Sequence, residues 1–419
     1  MPHPITISLP LSLNRLLARI HDAGFSAHAV GGGVRDSLMG REVNDWDVTT
    51  SAVPEQIKAI FSDCRIIETG IQHGTVTVCF EGDFYEVTVY RVDGEYKDSR
   101  HPEQVTFATR LEDDLSRRDF TVNAMAYNPW DGLVDLYEGM ADIKRGVIRA
   151  VGDPQKRFAE DALRILRAIR FASTLGFFVD EQTALAARTL AHTLPMISTE
   201  RKCVELSKAL CGIHAYSIFS EYYEIVRHAW PCFDTEDTYQ NPVKCLPYLP
   251  QDLTLRLAVL FESAHPIDGC TLSRTLLDLR FSKDIAKNVE TLVLLSRGPM
   301  PETTYHKRKM LGELGLSMCV SYAKLWESRL ARDGQDTAPA LALREAFVSD
   351  DSAQVCCTVS QLAISGKDLI ALGIVGIATG KALAWLLDEV LAERTSNTKE
   401  TLIAHLTAYF CHLFFSLLL

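Results

Sequence analysis

The sequence predicts an α+β chain, and three observations carry that prediction. Short β-branched runs concentrate between about residues 27 and 128, helical periodicity takes over near Gly139, and beyond Pro195 the chain reads as helix almost to its end. At 419 residues, 47% hydrophobic and 23% charged, the composition is that of a soluble protein, and a typical domain size of about 150 residues implies two to four units. A net charge of −11 excludes a protein that is basic all over, while leaving room for a local basic surface that could meet nucleic acid. The eleven cysteines form no CxxC pair and no metal-finger spacing, which is the pattern of a reduced, cytoplasmic chain.

Taking the elements in order, Ile5 to Ile20 holds Leu9, Leu11, Leu13, Leu16, Leu17 and Ile20, broken by Asn14, Arg15 and Arg19. It lacks a small-residue cleavage site and reads as an amphipathic helix. A short apolar strand then closes at Val30, and Gly31 to Gly33 follow at once. Glycine lets a ligand approach the backbone without a Cβ in the way, and Arg35 adds the charge such a loop would offer to a phosphate. Asp45 and Asp47 have strand spacing, which points both side chains to one face. Paired carboxylates beside a phosphate loop are what divalent metals need for phosphoryl chemistry. Kinases, nucleases and polymerases all remain open here.

Thr75–Phe80 and Tyr85–Tyr90, separated by Glu81-Gly82-Asp83, read as a hairpin. Glu86 lies in its second strand and is either a surface residue or a third carboxylate beside Asp45 and Asp47. Arg91 to Pro102 is polar and without periodicity, a loop of functional length. Arg117-Arg118-Asp119, followed by an apolar run carrying Asn123, suits a site for phosphate and sugar hydroxyls.

From Asp142 to Arg170 there are eight Lys or Arg against four Asp or Glu. One helix is expected over Arg157–Leu175, with Arg157, Glu160, Asp161 and Arg164 opposite an apolar face. The competing account of these residues is a salt-bridged solvent face. Further helices are expected from Glu200, over Leu253–Glu262, Ile285–Leu295 and Ala382–Leu391, with connections at Pro242–Pro250 and Arg297–Pro301. Asp368 reads as a helix cap. His405 to Leu419 is almost wholly apolar but shorter than the roughly 20 residues of a membrane span, so a core helix or dimer contact is expected.

Together these residues resemble the bacterial-type tRNA nucleotidyltransferases, the CCA-adding enzymes, whose head is shared with bacterial poly(A) polymerases. Gly31-Gly32-Gly33-Val34-Arg35-Asp36 with Asp45-Trp46-Asp47-Val48-Thr49-Thr50 matches the first family signature, Arg117 to Ala124 the second, and Glu160-Asp161-Ala162-Leu163-Arg164 with Arg167 to Phe171 the third. The Arg91–Pro102 loop is similar to the family's flexible loop. The resemblance covers about residues 27 to 210 and implies a polymerase-β-like nucleotidyltransferase head with a small β-sheet over 1–140. It also implies a helical neck with base recognition over 141–210, and an all-α body and tail that bind tRNA over 211–419.

The implied reaction is addition of CCA to tRNA lacking all or part of it, using CTP and ATP. In that scheme Asp45 and Asp47 hold two Mg²⁺ with Glu86 beside them, and Gly31, Gly32 and Arg35 seat the phosphates. Arg118, Asp119 and Asn123 face sugar and triphosphate, Asp161 and Arg164 read the base, and Arg167 and Arg170 lie beside the nucleotide. A carboxylate only accepts and a guanidinium only donates, so one Asp–Arg pair can read both cytosine and adenine. Uracil and guanine present the reverse pattern. A poly(A) polymerase, a CC-adding enzyme and a non-catalytic tRNA-binding protein are the alternatives. The intact loop and the retained carboxylates favour CCA addition.

Overall fold

In the computed structural model, which describes residues 5–71, 74–93, 105–233, 235–262, 269–352 and 355–416, the strand-rich segment builds one mixed sheet. Its strands are β1 (Ala27–Val30), β2 (Asp47–Thr50), β3 (Arg65–Ile67), β4 (Thr75–Phe80) and β5 (Asp83–Val89). After a separate ribbon of β6 (Arg91–Asp93) and β7 (Val105–Phe107), it is completed by β8 (Met125–Asn128) and β9 (Gly132–Asp135). The order is β3-β4-β5-β2-β1-β8-β9, and the neighbours are antiparallel except β2 and β5, which run parallel with Asp47 opposite Glu86.

Period-two alternation explains the sheet's two faces. Val76, Val78 and Phe80 of β4 and Tyr85, Val87 and Val89 of β5 point inward. There they meet Leu13, Leu16, Leu17 and Ile20 of α1 (Leu11–Asp22), together with Ile57 of α3 (Pro54–Ile60) and Phe61. Each such fully buried leucine contributes roughly 1.5–3 kcal/mol. The helix α2 (Gly32–Leu38) stands between β1 and β2 in sequence. The hairpin turns on two residues, Glu81 and Gly82, at φ 50° and 94°, a pair of positive angles that matches the strands' right-handed twist.

After α4 (Leu111–Ser116) and α5 (Gly139–Arg145) the chain turns mostly to helix. The single helix expected over Arg157–Leu175 is in fact two, α6 (Pro154–Glu160) and α7 (Leu163–Leu175). Asp161 between them is extended, at φ −141° and ψ 105°, and its Oδ1 accepts the Leu163 N–H at 3.0 Å. The carboxylate thus competes with the helical ladder and caps the second helix. The apolar face of α7 packs against α9 (Thr199–Leu210), which follows α8 (Glu181–Leu190). The Arg91–Pro102 loop is also corrected at its start, because Arg91–Asp93 pairs with Val105–Phe107. Residues 94–104 lie outside the described ones.

Contacts divide the chain into Met1–Asp234 and Thr235–Leu419. The first unit includes Ala215–Glu221 and Tyr223–Ala229, which pack on α7, α8 and α9. The second unit is helical, with the expected helices at Leu253–Phe261, Lys283–Leu295 and Ile377–Leu391. Where a connection was expected, helix Glu236–Val243 runs through Pro242, followed by a 3₁₀ turn at Leu246–Tyr248. Asp368 is not the cap residue but the third residue of Gly366–Ala371, accepting the N–H of the capping Ser365 at 2.9 Å. Leu369, Leu386, Leu402 and Leu406 gather the last helices into one cluster. Among the described residues no helix is long and apolar enough to cross a membrane.

Candidate active site

The site begins where β1 ends. Gly31 holds φ 75° and ψ −131°, an angle pair that L side chains rarely adopt. A Cβ there would stand 3.4 Å from Nη1 of Arg118 and 3.8 Å from Oδ2 of Asp47. Gly31 is therefore the point where an arginine and a carboxylate from distant parts of the chain converge. At Gly33 a Cβ would meet the Trp46 ring at 2.7 Å, so the lead-in to β2 packs directly on the start of α2. The first N–H groups of a helix have no intrahelical acceptor and favour anions, and all three glycines line the cavity described below.

Asp45 precedes β2 and Asp47 opens it, with buried Trp46 between two exposed carboxylates. Strand-like alternation therefore reaches Asp45 although the ladder does not. The parallel register sets Glu86 beside Asp47 on the same face. Although Asp47 is exposed at the strand end, protein atoms around its carboxyl displace water. That burial, with repulsion from Asp45 and Glu86, raises its pKa to about 6 against the opposing charge of Arg118. Such crowding of negative charge is relieved by a bound cation. Among the described residues no three acidic, His or Cys side chains form a ready-made ligand cage. Mg²⁺ seldom uses one, taking one or two carboxylates with waters and substrate phosphates, and this donor set fits that need.

The cations are held by their own acids. Arg35, buried, makes two bonds of 2.9 Å to Asp36 and one of 2.6 Å to Oδ1 of Asn123. Asn123 donates to Asp119 at 3.2 Å, and Asp119 also accepts from Arg167 Nε at 2.8 Å and from the Phe120 N–H at 2.8 Å. Burial would raise the Asp119 pKa, but Arg167 and these donors hold it at about 2. Arg118 is anchored at 2.9 Å by Asp114, a fully buried carboxylate that also accepts from Arg117 at 2.5 Å and Thr49 Oγ1 at 3.1 Å. Arg170 pairs with Glu205 at 2.6 Å and lies 3.8 Å over the Phe171 ring, which Arg35 and Arg167 also approach.

These groups surround a cavity of about 460 Å³. It collects Gly31, Gly32, Arg35, Asp45, Asp47, Arg118, Asp119, Asn123, Arg167 and Arg170, with Asp36, Asn44 and Phe171 beside them. Glu86 adjoins it through Asp47 without lining it. Asp161 and Arg164 do not line it, and their side chains do not pair with each other. Nη1 of Arg164 donates to Glu160 at 2.8 Å and to the Arg157 carbonyl at 3.1 Å, and its Nη2 donates to the Arg117 carbonyl at 3.1 Å. Asp161 instead accepts from Arg201 at 3.2 Å. Asp114, Arg201 and Glu205 were missed from the sequence. The signal for the last two is an Arg and a Glu one turn apart on α9, facing back toward α7.

Two family models match, the "Poly A polymerase head domain" over residues 27–149 and the "Probable RNA and SrmB- binding site of polymerase A" over 176–225. A Bacillus pumilus CCA-adding enzyme is 35% identical over 97% of this chain and 98% of its own length. One from Leuconostoc mesenteroides is 39% identical over 69% and 72%. The crystal structure of the Bacillus stearothermophilus CCA-adding enzyme in complex with CTP superposes with a TM-score of 0.79 at 32% identity, covering 96% of this chain and 97% of that one. With the glycine loop, the paired carboxylates and the arginine-lined cavity all in place, the chain belongs to the family of CCA-adding enzymes.

Proposed function

We propose that this chain is a tRNA nucleotidyltransferase that adds CCA, without a nucleic-acid template, to tRNA lacking all or part of it. The observation that carries the proposal is the convergence of Gly31, Arg118 and Asp47 on one arginine-lined cavity. The tRNA 3′-hydroxyl oxygen bonds to the α-phosphorus of CTP or ATP as the bond to the pyrophosphate oxygen breaks and the hydroxyl proton passes to water. Gly31, Gly32, Arg35 and Arg118 seat the triphosphate, while Asp119 and Asn123 set the arginines and face the ribose. Two Mg²⁺ held by Asp45 and Asp47 would supply hydroxyl activation and charge neutralisation.

Asp161 and Arg164 read the base in this proposal. Support comes from their place around the α6–α7 break, three and six residues before the cavity-lining Arg167, whose charge Asp161 helps to sustain. Reading requires Arg164 to exchange Glu160, and Asp161 to exchange Arg201, for base edges. Residues 1–140 act as the catalytic head, 141–210 as the neck, and 211–419 as the body and tail that hold tRNA.

The test is incubation of tRNA transcripts lacking CCA with each labelled NTP, reading product length at nucleotide resolution. Extension by three residues, in the order C, C, A, is expected. Long A tails would identify a poly(A) polymerase, a stop after two C a CC-adding enzyme, and no extension a binding protein.

A further inference from the structure

A second cavity of about 500 Å³ adjoins the first at Asp45. It shares Val43, Asn44 and Asp45 with the arginine-lined one and is otherwise walled by Pro10, Trp46 and Gly82 to Tyr85. The two differ in the cations they offer. The first sets four arginines among five carboxylates, whereas the second has no Lys, Arg or His in its lining and two carboxylates, Asp45 and Asp83. Such a lining repels phosphate and favours a neutral group with donors to offer.

Its exposed aromatic is Phe84, whose surface is 61% open. A single exposed phenylalanine is ordinary on a protein surface, so its position matters more than its exposure. Phe84 and Glu86 are two apart on β5, which puts them on one face, and Glu86 is paired with Asp47. The two backbone positions are therefore about 7 Å apart along the strand, comparable to the reach of a nucleoside from its base to its 3′ oxygen.

Phosphoryl transfer requires the attacking and leaving oxygens to be roughly in line. With the triphosphate among Gly31, Arg35 and Arg118, the nucleophile must arrive from across the carboxylates, and the second cavity borders them at Asp45. We infer that this cavity receives the 3′-terminal nucleoside of the RNA acceptor, with its base stacked on Phe84 and its ribose hydroxyls toward Asp45. Phe84 is then a positioning residue for the acceptor, and the inference rests on the nucleotidyltransferase reading above.

The test uses the full chain and a tRNA transcript lacking CCA that ends in 2-aminopurine, a base whose fluorescence is quenched by stacking. Wild type, Phe84→Ala and Phe84→Tyr are compared for quenching, for KM of the acceptor and for CTP binding. Phe84→Ala is expected to lose the quenching and raise the acceptor KM about tenfold or more, the scale of one lost base–aromatic stack. CTP affinity should stay unchanged, and Phe84→Tyr should restore both properties. Retention of quenching and acceptor KM in Phe84→Ala would overturn the inference, as would equal losses of CTP and acceptor binding. Failure of wild type to extend the transcript would instead sink the parent reading, so the two failures are distinguishable.

Discussion

At the scale of single residues, the site trades stability for chemistry, and Asp47 shows it best. Its folded pKa of about 6 lies above the 3.8 of a free aspartate, so the folded protein binds the extra proton between those values. Stability is therefore lost as pH rises from about 4 to 6. Asp47→Asn is expected to raise Tm at neutral pH in EDTA, to flatten Tm against pH in that window, and to abolish incorporation. Mg²⁺ should raise the Tm of wild type more than that of the variant. Thermal melts against pH and Mg²⁺ check this, and a variant that melts lower than wild type in EDTA would refute the crowding argument. Asp119 has the opposite sign, since its pKa of about 2 contributes stability above the ordinary carboxylate range that is lost as pH falls toward 2. Removing one partner of such a buried pair costs about 3–5 kcal/mol. Asp119→Ala should accordingly show a lowered urea midpoint, with Arg167 left only its 3.9 Å contact to Glu205 and the Asn123 amide N–H deprived of its acceptor.

At the scale of elements, the hairpin and the glycine loop were legible because their signals are local. Val76, Val78 and Phe80 alternate with polar neighbours, and Glu81-Gly82 supplies the turn. The α6–α7 break was not legible, because Arg157 to Leu175 is continuous in helix formers and only the Asp161 carboxylate capping Leu163 interrupts it. Asp114 was missed for a related reason. Its burial is repaid by Thr49, Arg117 and Arg118, and Thr49 comes from a strand 65 residues away in the chain. The same break sets the prediction for base choice. Asp161→Ala should accept UTP and GTP more readily, since a mispaired buried group costs roughly 1–3 kcal/mol. Competition between NTPs in a single extension reaction measures this, and unchanged selectivity would refute the role.

At the scale of the whole molecule, the net charge of −11 and the arginine-lined cavity are reconciled by local pairing. Arg35, Arg118, Arg167 and Arg170 each face an acid of the same unit, so cationic edges are presented without a basic surface overall. If RNA phosphates meet such local cations, the logarithm of the tRNA binding constant should fall linearly with the logarithm of salt concentration. Binding titrations at several ionic strengths read that slope, and a slope of zero would exclude phosphate contacts as the source of affinity.

In the proposed reaction, the carboxylates at the start of β2 carry the transfer of a nucleotide to a tRNA 3′ end. Its most direct measurement is single-nucleotide-resolved extension of a CCA-less tRNA by wild type and by Asp47→Ala, side by side with CTP, ATP and Mg²⁺. Three added residues, C, C and A, from wild type and none from the variant are predicted. Undiminished extension by Asp47→Ala, or no extension by wild type, would contradict the account.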